Sequence, residues 1–245
     1  MHTAVENSRT ASYDWVEYFY QNAPEPRLPW SNTMRLSGAE KLAVIHSIQQ
    51  FQLREGANNG ARMLERAKQF SRATADLGMI AALRLFLREE QRHSQMLARF
   101  LQLESVPCLR KPPVYSTFRW LRGLGGLEFC LKVLVTAEVL ARPFYAALRD
   151  ATGSPLLREI CQRILEEEAA HLRFQAFVLR RFQGQHWRWT GVLVRQCHAG
   201  LLAVTALLVW MEHSSVFQAA GRTFGAFWNE VWREFALLYR VSCPP

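Results

Sequence analysis

The sequence REEQRH occupies residues 88–93, and the similar sequence EEEAAH occupies residues 166–171. Each contains a glutamate followed three positions later by a histidine: Glu90 with His93, and Glu168 with His171. Residues three apart lie on one face of a helix, so each carboxylate and imidazole can reach the same ion. One such pair means little in a glutamate-rich chain. Two pairs, each near the middle of a predicted helix, indicate a shared site.

The composition predicts that both motifs lie in helices. The chain has 245 residues, of which 49% are hydrophobic, which is enough for one sizeable domain and excludes an intrinsically disordered protein. Its 21 acidic residues are 18 glutamates and only three aspartates. Because aspartate prefers caps and turns whereas glutamate tolerates helix interiors, this ratio favours an all-α fold.

Capping and proline signals divide the chain into helices. Residues 1–36 are expected to be irregular, since prolines interrupt their final stretch, NAPEPRLPW. Ser37, with Glu40 at the capping-box position, is expected to begin a helix that extends to about residue 71. The three helices that follow are predicted at about 73–104, 127–150 and 156–182.

A crossover rich in proline and glycine joins the two predicted helix pairs, which is typical of a four-helix bundle with ferritin-like connectivity. The expected parts are an irregular N-terminal segment (1–36), the bundle (37–184) and a helical C-terminal extension packing on the bundle (185–245). The extension is predicted to contain helices at about 188–213 and 217–240. Its uncharged run from Ala199 to Met211 is too short to span a membrane and is expected to be buried.

The level of each residue in the bundle adds two members to the predicted site. In an antiparallel helix pair, residues equidistant from the turn lie at the same height. Glu138 lies 15 residues before Gly153, at the centre of the second turn, and Glu168 lies 15 after it. Glu55 lies 18 residues before the centre of the first turn, and Glu90 lies 17 after it. A glutamate from each of two helices plus two Glu-x-x-His motifs is the pattern of a two-metal site in a bundle.

Apolar neighbours predict that this site is buried. Aliphatic and phenylalanine side chains flank three of the four glutamates at helical spacing, whereas Glu55 has a more polar face. A carboxylate in such surroundings is costly unless it is paired or bound to metal. Mixed carboxylate and imidazole ligands suit iron or manganese. The six candidate metal ligands are Glu55, Glu90, His93, Glu138, Glu168 and His171.

Several neighbouring residues have weaker predictions. Three other glutamates are expected to face solvent because arginines flank them: Glu89, Glu166 and Glu167. Tyr145, two turns after Glu138 on the same face, is a candidate catalytic residue through a hydrogen bond or a redox role, although core packing also explains it. Arg142 is expected to pair with a site carboxylate or elsewhere. His198 and His213 are expected to be structural.

At these residues the sequence resembles the ferritin-like di-iron carboxylate superfamily, over about residues 37–182. The similarity rests on four motifs: REGANNG, REEQRH, TAEVLARPFY and EEEAAH. The resemblance implies that the two Glu-x-x-His pairs are terminal ligands, while Glu55 and Glu138 include the carboxylates that bridge the metals. Aspartates often orient the ligand histidines in this superfamily. This chain has none near either motif, so Glu89 or Glu167 would take that role.

The resemblance implies a non-haem di-iron oxidoreductase, an O2-dependent oxygenase or oxidase. Its substrate would be a hydrophobic small molecule, acyl- or quinone-like, which is hydroxylated, desaturated or cleaved at a carbon–carbon bond. The implied cofactors are two iron ions, with manganese as the alternative, and dioxygen is the co-substrate. Electrons would come from an external reductase or ferredoxin-type donor. Small monooxygenases fit better than rubrerythrins, whose cysteine-ligated iron domain is not found in this sequence.

The net charge of +9, which comes from 26 arginines and four lysines, leaves two alternatives open. A di-iron tRNA hydroxylase would use the positive charge to bind nucleic acid. A non-enzymatic helical interaction protein, or one bound peripherally to a membrane, would only carry look-alike motifs. The five widely spaced cysteines argue against a disulfide framework or a zinc ribbon. The polar N-terminus predicts a cytoplasmic protein, with peripheral membrane contact as the alternative.

Overall fold

Two antiparallel pairs of long helices form the centre of the molecule. The computed structural model describes residues 2–31, 34–56, 61–74, 76–109, 126–183 and 188–240. Over these ranges the chain is all-α, as the composition predicted. The helices are α1 (His2–Gln21), α2 (Gly38–Gly56), α3 (Ala61–Thr74), α4 (Leu77–Leu103), α5 (Leu127–Asp150), α6 (Pro155–Gln183), α7 (Arg188–Glu212), α8 (Ser214–Ala219) and α9 (Phe224–Arg240).

The bundle consists of α2 and α4 in one pair and α5 and α6 in the other, with α4 packed against α6. Predicted helices 127–150 and 156–182 correspond closely to α5 and α6. The predicted helix from Ser37 to about residue 71 is represented by α2 and α3; residues 57–60 lie outside the described part of the chain, as does most of the predicted crossover. The helix α3 packs against both α4 and α5.

The predicted irregular structure of residues 1–36 is wrong for His2–Gln21, which form α1. This helix packs along α4 because its Trp15 and Phe19 side chains are fully buried. The Phe19 ring packs edge-on against Phe86 and lies 6.1 Å from the ring of His171. The prolines that motivated the prediction begin only at Pro24, after α1 has ended. The first helix therefore covers one side of the bundle centre.

The C-terminal helices differ from the prediction in two ways. The helix predicted at 217–240 is divided into α8 and α9 by Gly221, whose φ of +66° is a left-handed conformation that favours glycine. The expectation of a buried helix at Ala199–Met211 is also wrong, since the Val204 side chain is 59% exposed. The stretch Gly191–Glu212 is long and apolar enough to cross a membrane by length and composition alone, and only 22% of its most apolar part is buried.

Buried polar contacts fix the C-terminal helices on the bundle. His198 in α7 forms hydrogen bonds with Thr136 of α5 (3.1 Å) and with the hydroxyl of Tyr239 in α9 (2.7 Å). His213 forms a hydrogen bond with the hydroxyl of Ser47 in α2, at 2.9 Å. Burial lowers the pKa of His198 to about 4 and that of His213 to about 3. Both imidazoles are therefore neutral at pH 7 and serve packing, as the sequence predicted.

The capping box predicted at the start of α2 is confirmed, and it also holds the two helix pairs together. The backbone N–H of Ser37 donates to the Glu40 carboxylate (2.8 Å), and the backbone N–H of Glu40 donates to the Ser37 hydroxyl (3.3 Å). The other Glu40 oxygen accepts from the backbone N–H of Gly153, at 2.7 Å, in the turn between α5 and α6. These bonds, that from Gly153 first, lower the pKa of Glu40 to about 2.

We expect Glu40→Gln to lower the free energy of unfolding at pH 7 by about 1 kcal/mol, because a carboxylate accepts these hydrogen bonds better than an amide. The folded-state pKa of Glu40, about 2, lies below its ordinary value of 4.5. The stabilisation is therefore complete above pH 4.5 and is lost as the pH falls toward 2. Denaturant unfolding at pH 7 and pH 3 measures it. Glu25→Gln, in an exposed loop, is the control, and an equal difference at both pH values would contradict the account.

Candidate metal centre

The six predicted ligands meet at the centre of the bundle. Glu55 comes from the last turn of α2 and Glu138 from the middle of α5, while α4 and α6 each supply one Glu-x-x-His pair. All six side chains are at most 1% exposed. The equidistance from the turns thus identified residues that are brought together from four helices, including Glu55, whose sequence surroundings were the most polar.

The ligand atoms form two groups of four, within each of which all atoms lie within 4.8 Å of one another. One group comprises Glu55, Glu90, His93 and Glu168, and the other comprises Glu90, Glu138, Glu168 and His171. Each group combines three carboxylates with one imidazole. Such a set of oxygen and nitrogen donors can hold a metal ion.

Glu90 and Glu168 belong to both groups. The resemblance implied that Glu55 and Glu138 include the bridging carboxylates, and that assignment stays a prediction. Glu55 lies in one group and Glu138 in the other, whereas the two glutamates of the Glu-x-x-His motifs lie in both. A bridging role for Glu90 and Glu168 is therefore the alternative that the geometry offers, and it is consistent with the packing of α4 against α6.

Several polar atoms of the site are buried without a hydrogen bond among the described residues. They are Oε1 of Glu90, Oε2 of Glu138, both carboxylate oxygens of Glu168, and Nδ1 of His93 and His171. The His171 Nδ1 and Glu90 Oε1 atoms lie 2.9 Å apart but lack the orientation of a hydrogen bond. Buried polar atoms without a partner are costly. Their convergence fits a pair of metal ions at this position.

Two further glutamates orient the histidines, each from the opposite helix. The Nε2 atom of His93 in α4 lies 2.7 Å from the Glu167 carboxylate of α6. The Nε2 atom of His171 in α6 lies 2.9 Å from the Glu89 carboxylate of α4. With Nε2 engaged in this way, Nδ1 of each ring faces the cluster, and a carboxylate partner also raises the basicity of the ring.

The prediction that Glu89 and Glu167 face solvent is therefore wrong, since each is only 2% exposed. The flanking arginines do not indicate a surface, because they compensate the buried carboxylates. Arg92 binds Glu89 (3.1 Å) and Glu167 (2.8 Å) at once, and Arg163 binds Glu167 (2.5 Å). The pKa of Glu167 falls to about 2, because these contacts and that with His93 outweigh the effect of burial. Glu166 is exposed, as predicted.

Glu55 has two additional partners. The Arg54 guanidinium lies 2.5 Å from the Glu55 carboxylate and also donates to the backbone carbonyl of Ala137, at 2.9 Å. The fully buried Tyr145 hydroxyl donates to the same Glu55 oxygen, at 3.2 Å. The predicted hydrogen bond of Tyr145 near the site is thus present. Arg142 takes the second of its two predicted options and pairs with Glu234 of α9, at 2.5 Å.

The pKa values show how strongly the cluster needs positive charge. Burial raises the pKa of Glu55 to about 8 although Arg54 opposes it, and burial together with Glu168 and Glu90 raises the pKa of Glu138 well above its ordinary range. Burial lowers the pKa of His93, but its carboxylate neighbours outweigh this and raise it to about 10. Protons therefore neutralise the cluster when no cation does, and metal binding has to displace them.

Aromatic rings close the site on two sides. Phe86 packs edge-on against the His171 ring, with the ring centres 4.7 Å apart. Phe51 of α2 stacks on Phe144 of α5 at 3.6 Å and contacts Tyr145. All of these side chains are buried. The charged groups therefore lie in an apolar shell, where electrostatic interactions are stronger than in water.

Comparisons with protein-family models, with curated proteins and with solved structures find no match for this chain. Over the described residues, the structure itself shows an all-helical bundle with a buried carboxylate and histidine cluster that could hold metal.

The crossed glutamates yield a prediction for metal binding. We expect Glu89→Gln to weaken Mn²⁺ or Fe²⁺ binding in the group of His171, and Glu167→Gln to weaken it in the group of His93, each by about 10- to 100-fold. Anaerobic isothermal titration should then show one weakened and one unchanged site in each variant.

The matched control is Glu166→Gln, an exposed glutamate in the same run of three. Circular dichroism and thermal unfolding check that each variant keeps its fold, since Glu89 and Glu167 also bind arginine. If the control weakens binding as much as the other two, or if neither of them has an effect, the orienting role is wrong.

Proposed function

We propose that this chain is a non-haem di-iron oxidoreductase, an O2-dependent oxygenase or oxidase that acts on a hydrophobic small molecule. The observation that carries the proposal is the pair of ligand groups that share Glu90 and Glu168 at the centre of the bundle. A purely structural cluster would not require two carboxylates to serve two such groups at once. The ferritin-like di-iron superfamily, which the sequence motifs resemble, is the proposed relationship.

The charge balance supports two divalent ions. Four ligand carboxylates carry four negative charges when ionised, and Arg54 compensates one of them beside Glu55, so that two divalent cations bring the cluster close to neutrality. The two orienting glutamates are compensated separately, by the imidazole rings and by Arg92 and Arg163. The donor set of carboxylate oxygens and imidazole nitrogens favours iron, with manganese as the alternative.

In the proposed reaction, a bound iron pair supplies dioxygen binding and one-electron redox chemistry, with electrons from a reductase or ferredoxin-type donor. The protein's own residues supply position and charge. Glu89 and Glu167 hold the imidazole rings so that Nδ1 faces the metal positions. Phe86, Phe51 and Phe144 exclude water and provide apolar surroundings, which favour a hydrophobic substrate.

Tyr145 is the proposed proton-holding residue beside Glu55. Its hydroxyl donates to the Glu55 carboxylate, and burial together with Glu55 raises the pKa of the phenol well above its ordinary range. The phenol therefore keeps its proton throughout the physiological range. In this position it stabilises the ionised form of Glu55, which otherwise tends to be protonated.

The test is to load the purified chain with ferrous iron under anaerobic conditions and then admit dioxygen. We expect two irons per chain and rapid oxygen consumption with a transient change in visible absorbance. Because Glu168 serves both ligand groups, Glu168→Ala should bind little iron and consume little oxygen, whereas Glu166→Ala should match the unmodified protein. Iron content is measured by plasma emission and oxygen uptake by electrode.

Two results would contradict the proposal. A chain that binds no iron or manganese after loading would be a helical interaction protein. If the chain binds two irons but does not react with dioxygen in the presence of reductant, it contains a metal centre but is not the proposed oxidoreductase.

A further inference from the structure

A continuous apolar face of α7 lies in solvent. It comprises five aliphatic side chains that are 45–72% exposed, namely Leu193, Val204, Leu207, Leu208 and Met211. Cys197 and Gly200 are exposed between them. These residues recur every three or four positions, so they form one stripe along the helix, about 27 Å long. We call these seven residues the α7 stripe.

The stripe offers almost nothing to a polar partner. Between Gln196 and Met211, every exposed residue except Gln196 is apolar, glycine or cysteine, and the nearest charged residues are Arg195 and Glu212 at the two ends. Protein–protein interfaces carry about one hydrogen bond per 100–200 Å². A hydrocarbon phase, by contrast, needs a surface without donors or acceptors.

The opposite face of α7 is fixed to the protein. Leu202 and Ala206 are fully buried, and His198 is bonded to Thr136 of α5. At the end of the helix, Gln50 of α2 donates to the Glu212 carboxylate at 2.6 Å. A helix held along one face cannot be surrounded by lipid on all sides. This geometry excludes a free transmembrane span and fits a helix that lies in the plane of a membrane interface.

In the described part of the C-terminal helices, the acidic side chains are paired, whereas two arginines are not. The acids of the C-terminal helices each have a partner: Glu212 accepts from Gln50, Glu230 binds Arg222, and Glu234 binds Arg142. By contrast, Arg195 and Arg233 have no acidic partner within the described ranges, and both are exposed. The Arg195 guanidinium lies over the Tyr239 ring, at 4.7 Å. Because Arg195 lies on the face of α7 opposite to the stripe, the positive charge that can complement a negatively charged surface comes from Arg233 and from the net charge of +9.

Aromatic residues connect α7 to α9 beside the stripe. Trp210 stacks on Phe217 and contacts Phe227, and Trp228 packs against Trp232 along α9. All three tryptophans are only partly buried. Partly exposed tryptophan is typical of proteins at the boundary between lipid and water, because the ring is apolar and its N–H is polar.

We propose that the α7 stripe docks on the surface of an anionic lipid bilayer, with α7 parallel to the membrane plane and its aliphatic side chains in the headgroup–acyl boundary. Arg233, on the exposed face of α9, contacts the lipid phosphates. This docking site does not depend on the metal centre.

The first test is co-sedimentation of the full chain with vesicles of phosphatidylcholine alone and of phosphatidylcholine with about one-third phosphatidylglycerol. We expect stronger binding to the anionic vesicles, with part of it lost at high salt. We expect the double variant Val204→Glu/Leu208→Glu to bind the anionic vesicles more weakly than the unmodified protein by a factor of about ten or more. Leu42→Glu, which changes an 87% exposed leucine on α2, should bind like the unmodified protein.

A second measurement does not rely on charged variants. A fluorophore on exposed Cys197 lies on the stripe, whereas one on exposed Cys108 lies elsewhere. Each is introduced alone by changing the other to serine together with Cys243→Ser. Brominated acyl chains in anionic vesicles should quench the fluorophore at Cys197 and leave that at Cys108 unchanged.

Three results would overturn the proposal. The first is that the chain does not bind vesicles at all, and the second is that bromolipid quenches both labels equally. The third is a dimer, detected by light scattering, that Val204→Glu/Leu208→Glu converts to a monomer while vesicle binding is absent. The stripe would then be an interface between two copies of this chain. Iron content and oxygen uptake of the double variant, measured separately, distinguish loss of docking from failure of the proposed oxidoreductase.

Discussion

Four ionisable ligand carboxylates lie in two overlapping groups in the interior of a helical bundle, and their charge is the constraint on which the rest of the structure depends. Burying one uncompensated carboxylate costs several kcal/mol or more. The protein answers in two ways. Arginines compensate the carboxylates at the edge of the cluster, as Arg54 does for Glu55 and Arg92 for Glu89 and Glu167. At the centre of the cluster, protons or metal ions have to compensate the negative charge of the carboxylates.

The two motifs work as a reciprocal pair because both have the form Glu-Glu-x-x-His. Residues 89, 90 and 93 on α4 match residues 167, 168 and 171 on α6. In each helix the second glutamate and the histidine face the cluster, while the first glutamate reaches across to the histidine of the other helix. Two helices packed face to face with the same local sequence therefore generate a site with approximate two-fold symmetry.

The six central residues could be predicted from the sequence because long helices are rigid, so that counting from a turn fixes height, and helical spacing fixes the face. The capping box at Ser37 and Glu40 could be predicted for a similar reason, since it is local. The burial of Glu89 and Glu167 could not be predicted. An arginine near a glutamate in the sequence is compatible with a surface ion pair and with a buried one. The membership of Glu90 and Glu168 in both ligand groups depends on how closely α4 approaches α6, which the sequence does not encode locally.

Errors outside the bundle have a different cause. Prolines after residue 23 obscured the helix before them, although Trp15 and Phe19 already had helical spacing. In α7, apolar composition suggested burial, but composition cannot distinguish the face that contacts α5 from the face that contacts solvent. In both cases the apolar residues in the sequence indicate that a surface of the helix is to be covered. They do not indicate which element covers it, because that depends on the tertiary structure.

The most direct test of the metal centre is anomalous diffraction from crystals of the chain loaded with iron or manganese, recorded at the absorption edge of the metal. The account predicts two anomalous peaks about 3.5–4 Å apart, both within ligand distance of Glu90 and Glu168, with His93 at one and His171 at the other. A single peak, a pair bridged by Glu55 and Glu138, or no peak between α4 and α6 would contradict it.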